Sequence, residues 1–149
     1  ASFVGSSNQF RGVLESASQG LCRVDNQLLH VLPTPELKDG EAVLVLVRPE
    51  EVSLVSLQEA NEQNDVSTPT DENMIAGVIE LRTFLGPFTR FHVRTDAGNS
   101  LTADIPSQQA RGNFVAQRVL LTFSPTVCQV LPLDSQEAKL TKQAEAEAV

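Results

Sequence analysis

Three features of the sequence predict an all-β protein built from two tandem five-stranded OB-like barrel units. β-Branched residues and Leu gather in ten short runs, Gly, Pro, Asn and Asp collect at the breaks between them, and the run pattern repeats once along the chain. The first five runs are Phe10–Ser16, Leu21–Asp25, Leu28–Val31, Ala42–Val47 and Val52–Leu57. The second five are Ile75–Phe84, Thr89–Arg94, Ser100–Ile105, Val115–Phe123 and Val127–Leu131.

Landmarks recur in the same order in both sets. Gly12-Val13-Leu14-Glu15 in the first strand is echoed by Gly77-Val78-Ile79-Glu80 in the sixth, where a glycine permits a bulge or a close backbone crossing. The third and eighth strands each end at a proline, Pro33 and Pro106, which lacks the donor that a ladder needs. A glycine, Gly40 or Gly112, precedes the fourth and ninth strands and suits a tight turn. Finally Val47-Arg48-Pro49-Glu50-Glu51-Val52 matches Phe123-Ser124-Pro125-Thr126-Val127.

Residues 1–57 and 74–133 are thus expected to be the two halves, with 58–73 as an acidic flexible connector and 134–149 as a tail able to form a terminal helix. The length of 149 residues is enough to bury a core without staples. No apolar run approaches the roughly 20 residues that cross a bilayer, and the first residues lack a signal-peptide pattern, so a mature soluble domain is expected. Aromatics are 5% and all Phe, so the core is to be built from Val, Leu, Ile and Phe.

The net charge of −8 is uneven. Residues 58–73 hold five acids and no base, residues 134–149 four acids and two Lys, which leaves the remainder at −1. Such a body offers no general attraction to nucleic acid. Cys22 and Cys128 form no CxxC pair and lie near no His in sequence, so buried or incidental thiols are expected and metal ligation is not; a disulfide stays open. His30 and His92 sit in alternating strands and read as surface or edge residues. Arg90, His92 and Arg94 share one strand face, a solvated outer face or an anion-binding surface, the former favoured. Arg48, Pro49 and Glu50 lack a nucleophile or third group and are given a structural role; no GxSxG elbow is present.

Phe3-Val4-Gly5-Ser6-Ser7-Asn8, Val47-Arg48-Pro49-Glu50-Glu51-Val52, and Gly77-Val78-Ile79-Glu80 followed by Phe84-Leu85-Gly86-Pro87 together resemble the TOBE domain that follows the ATPase domain in ABC-importer subunits for maltose, polyamines, sulfate and ferric iron. Of these, the V-R-P-E-x-(V/I) pattern is the most specific. Gly5, Asn8, Arg48, Pro49, Glu50, Gly77 and Gly86 are the residues that carry the resemblance.

The resemblance implies a regulatory and dimerisation domain of the ATP-binding subunit, cytoplasmic and peripheral to the inner membrane. Its partners would be a second ATPase subunit and, through the ATPase domain, the membrane subunits. No Walker A loop, LSGGQ-type signature or Walker B strand occurs, so no enzyme activity, cofactor or metal site is expected in these residues, and MgATP would belong to the ATPase domain. Phe84-Leu85-Gly86-Pro87-Phe88-Thr89-Arg90 looks most like the ferric-iron and polyamine importers. Phe84, Leu85 and Phe88 are expected either to form a two-fold self-contact or to plug one end of their own barrel. Two other functions fit paired β-barrels: an oxyanion-binding domain of the molybdate type, and a nucleic-acid-binding OB-fold, the latter disfavoured by charge and by the lack of Trp and Tyr.

Overall fold

The computed structural model describes residues 7–57 and 72–133. Residues 58–71 of the expected connector, the expected tail 134–149, and Gly5 lie outside the described residues.

All ten expected strands are present: β1 Asn8–Ser16, β2 Leu21–Val24, β3 Gln27–His30, β4 Ala42–Val47, β5 Ser53–Ser56, β6 Asn73–Phe84, β7 Phe88–Thr95, β8 Ser100–Pro106, β9 Arg118–Phe123 and β10 Gln129–Pro132. Two boundaries shift for local reasons. Val115–Gln117 was expected to open the ninth strand, but it forms a turn in which Ala116 takes φ 75°. Pro125–Val127 is a 3-10 turn, so the tenth strand starts at Gln129 and not at Val127. Asn73, placed at the end of the connector from sequence, instead begins β6 and is only 3% exposed.

The strands form two five-stranded antiparallel sheets, ordered β10-β4-β1-β2-β3 and β5-β9-β6-β7-β8. The two orders are the same once the repeat is taken into account, with one exchange. The last strand of each half pairs with the fourth strand of the other half: β5 with β9 over Ser53–Ser56, and β10 with β4 over Gln129–Pro132. The halves therefore share strands. A 3-10 turn, Pro49–Glu51 or Pro125–Val127, carries the chain across at each exchange.

One hydrophobic core lies between the sheets. Alternate residues of each strand supply it, as a half-buried pleated surface requires: Phe10 and Leu14 from β1, Val43, Val45 and Val47 from β4, Ile75 and Ile79 from β6, Phe91 and Val93 from β7, Val119, Leu121 and Phe123 from β9. Phe10 and Phe123 stack across it with ring centroids 5.9 Å apart. The repeated glycines let strands approach: a Cβ on Gly77 would lie 2.5 Å from the Arg94 carbonyl oxygen, and one on Gly12 would lie 2.7 Å from Cys22 Sγ.

Two asparagines join the sheets at their outer strands. The Asn8 side chain donates to the Thr102 carbonyl and accepts from the Thr102 N–H, both at 2.8 Å. Asn73 does the same to His30, donating at 2.7 Å and accepting at 2.8 Å. Thr102 is in β8 and His30 in β3, each at the edge of its sheet. An amide side chain thus takes the place of one residue of a missing ladder strand, and satisfies edge groups that would otherwise pair elsewhere.

Candidate functional site

The V-R-P-E residues build the first strand exchange. Pro49 is buried at the first position of its 3-10 turn, where its missing N–H costs nothing, and the Glu51 N–H donates to the Arg48 carbonyl at 3.0 Å. The turn packs against β8. Arg48 and Glu50 are exposed. The equivalent turn is capped by Ser124, whose hydroxyl accepts from the Thr126 N–H at 3.2 Å. Arg48 stands where Ser124 stands and makes no side-chain cap bond, so its guanidinium is directed to other contacts.

Between the two turns runs a groove of about 410 Å³, floored by Leu46 and Leu131 and edged by Ser7, Arg48, Glu51, Thr126 and Gln129. Its described lining residues include one guanidinium and one carboxylate, so they are polar and formally neutral together. A second cleft of about 340 Å³, lined by Gln9, Arg11, Asp25 and Asn99 among others, has the same balance. There the Asn99 amide donates to the Asp25 carboxylate and ties the β7–β8 turn to the β2–β3 turn.

The outer face of β7 places Arg90, His92 and Arg94 side by side, as its period predicts, but its cations are already matched. Arg90 makes a two-pronged pair with Asp104 at 2.8 and 3.0 Å, and Arg94 reaches Glu80 at 3.1 Å. Donating these hydrogen bonds to the Asp104 carboxylate raises the Arg90 pKa further. Arg118 pairs likewise with Asp96, whose carboxyl is held below its ordinary pKa by that hydrogen bond. His30 and His92 belong to different sheets, and no group of metal-ligating side chains occurs among the described residues. Cys22 and Cys128 are buried and unbridged; burial pushes their thiols up to about 11 and about 12.

At the β6–β7 turn Gly86 takes φ 88°, and the Leu85 N–H bonds the Phe88 carbonyl at 2.9 Å. Phe84 is 67% exposed and Leu85 is exposed, while Phe88 is half-buried with the Arg90 guanidinium 5.7 Å from its ring centre. Half-buried Arg82 lies at the same end of the barrel. A bulge between Ile79 and Leu81 shifts the strand's phase, so that Arg82 comes opposite buried Phe91. Its guanidinium lies 5.9 Å from the Phe91 ring and 5.7 Å from the Phe114 ring, and Nε donates to the Asn113 carbonyl at 3.0 Å.

Sequence reasoning identified Asn8 but missed Asn73, Arg82 and Phe114. Asn73 was within reach of it, standing four residues before Gly77 as Asn8 stands four before Gly12. The bulge that redirects Arg82 follows Gly77 by two residues, as the one in β1 follows Gly12, so the repeated glycine marks where the phase shifts but not which side chain it turns.

No curated protein sequence matches the chain. Among solved structures, its fold is similar to that of ModG, described as a cytoplasmic molybdate-binding protein and crystallised with molybdate bound. The likeness has a TM-score of 0.72 at 12% identity and covers 86% of this chain and 97% of that one. The TOBE domain family matches residues 45–131, from within β4 to within β10, so that the match takes in both exchanged strands and the signature turn. That span is more than half of the 149 residues, and the chain belongs to the TOBE domain family.

Proposed function

We propose that this chain is a non-catalytic regulatory and dimerisation domain of an ABC-importer ATP-binding subunit, of the ferric-iron or polyamine type, acting at the cytoplasmic side of the membrane. The observation that carries this reading is the Val47–Val52 turn. It keeps the importer-type V-R-P-E residues, buries Pro49 and fixes the strand exchange on which the rest of the domain depends. ATP hydrolysis would belong to an ATPase domain. This domain would hold two subunits together while their ATPase domains open and close.

Oxyanion binding is the second reading, favoured by the ModG-like fold. The groove between the turns speaks against it, because a bound dianion needs an excess of cations or aligned N–H donors, whereas the described lining residues carry one guanidinium and one carboxylate. Two measurements separate the readings: sedimentation velocity without ligand, and equilibrium dialysis against molybdate. A ligand-free dimer with no molybdate uptake is expected. Saturable micromolar molybdate binding by a monomer would replace the importer reading with the oxyanion one.

A further inference from the structure

The five arginines of the second half divide into two groups. Arg90, Arg94 and Arg118 each face a carboxylate, Asp104, Glu80 and Asp96. Arg82 and Arg111 make no ion pair among the described residues, and both belong to the same end of the barrel. Arg111 is exposed in the β8–β9 loop, three residues before Phe114; Arg82 is stacked on Phe114 itself. At that end the protein also concentrates its exposed apolar surface. Phe84 and Leu85 project from the β6–β7 turn, and Phe114 and Val115, 58% and 55% exposed, from the loop. Isolated exposed apolar residues are ordinary, but two phenylalanines, a leucine and a valine on two loops joined by the Ser107 hydroxyl's bond to the Gly86 carbonyl, with Arg82 stacked on Phe114 and Arg111 in the same loop, concentrate apolar surface and unmatched positive charge at one end.

We propose that this end of the second barrel is a docking surface for an acidic amphipathic segment of another protein. Phe84, Phe114 and Val115 would receive its apolar side chains, with Arg82 and Arg111 pairing with Asp or Glu at its flanks. This goes beyond the importer reading and needs only this face. A second copy of the chain is a poorer occupant, because a two-fold contact would bring four unmatched guanidiniums together, and like charges juxtaposed across an interface oppose association. Nucleic acid is poorer too, since two cations are too few to follow a phosphate backbone.

The mode of binding is a helix laid on an apolar patch, with charges at the rim setting encounter rate and partner choice. The probe is a fluorescein-labelled synthetic helix of about 18 residues with Leu at i, i+3, i+4 and i+7 and Glu at the flanking positions. A matched helix carries Lys in place of every Glu, and a labelled single-stranded oligonucleotide is the third ligand. Anisotropy titrations are run at about 50 mM salt, where exposed charges are least screened. The Glu helix should bind at least roughly tenfold more tightly than the Lys helix, and Arg111→Glu and Phe114→Ser should each weaken it by roughly tenfold while Arg111→Lys does not. Arg111→Glu changes only an exposed turn residue, so the test survives if Phe114→Ser lowers the melting temperature. Equal affinity for the two helices, no binding of either, or tighter binding of the oligonucleotide would overturn the proposal. A ligand-free dimer dispersed by Phe114→Ser would overturn it as well, by assigning the face to a second copy.

Discussion

Replacing Asn73 by Ala should destabilise the protein far more than its position at the start of a strand suggests. The amide satisfies both backbone groups of His30, and Asn73 is almost fully enclosed, with its Nδ2 also 3.8 Å from Cys128 Sγ. Alanine removes two hydrogen bonds and leaves a partly buried N–H and C=O without partners. Each such group costs about 1–3 kcal/mol, and because the His30 side chain is exposed and water can reach part of the site, the low end applies to each. The expected loss is about 2–4 kcal/mol, a fall in melting temperature of about 10 °C for a chain of this size. Urea titration read by circular dichroism measures it, with the midpoint falling at unchanged slope. Asn73→Asp adds a sign test. Its carboxylate would face the His30 carbonyl, so burial and that acceptor would raise its pKa. The variant should then be weakest at pH 7 and recover stability as the pH falls and the carboxyl regains a proton to donate. A loss below about 1 kcal/mol in Asn73→Ala, the value of an ordinary hydrogen bond, would refute the idea that the amide substitutes for a ladder residue.

Gly77→Ala should cost about 2–4 kcal/mol by urea titration, because its Cβ would meet the Arg94 carbonyl at 2.5 Å, whereas Gly112→Ala, with open space around it, should be close to neutral; equal effects would mean that the strands can move apart. The native thiols should resist a disulfide exchange reagent at pH 8 and react only on unfolding, since thiols raised to about 11 and about 12 hold almost no thiolate there. For the same reason stability should be level below the ordinary thiol pKa of about 9 and decline from there towards pH 12, as the unfolded chain ionises while the native thiols stay protonated. Isothermal titration with MgATP should show no saturation, and micromolar binding would contradict the assignment of ATP to another domain.

The repeat was the most informative part of the sequence. Runs of β-branched residues and Leu marked the ten strands, and the matched glycines, the two prolines and the V-R-P-E turn sorted them into two equivalent sets, because each landmark stands where the backbone must do something that other residues do badly. The strand exchange was not visible, since β5 and β10 have the same composition whichever sheet they join, and pairing choice depends on contacts between distant segments. Site geometry was legible only in part. The alternation of β7 correctly put Arg90, His92 and Arg94 on one face, yet their partners Asp104 and Glu80 lie on two other strands. At the Phe84–Phe88 turn the structure leaves Phe84 and Leu85 exposed and Phe88 half-buried, and it adds Arg82, brought opposite Phe91 by the bulge that follows Gly77.

The strand exchange also decides how the domain would carry a pulling force. β1 and β10 flank β4 and run in the same direction, so the chain enters the sheet at one end of β4 and leaves it at the other. Tension applied between residues 8 and 132 would therefore slide β1 and β10 past β4 in opposite senses, loading the Asn8–Val13 and Gln129–Pro132 pairings together instead of opening them one at a time. Had β10 stayed with its own half, the same pull would have drawn the two sheets apart through their connector. As built, a pull between residues 8 and 132 is met in shear by both pairings of β4 at once.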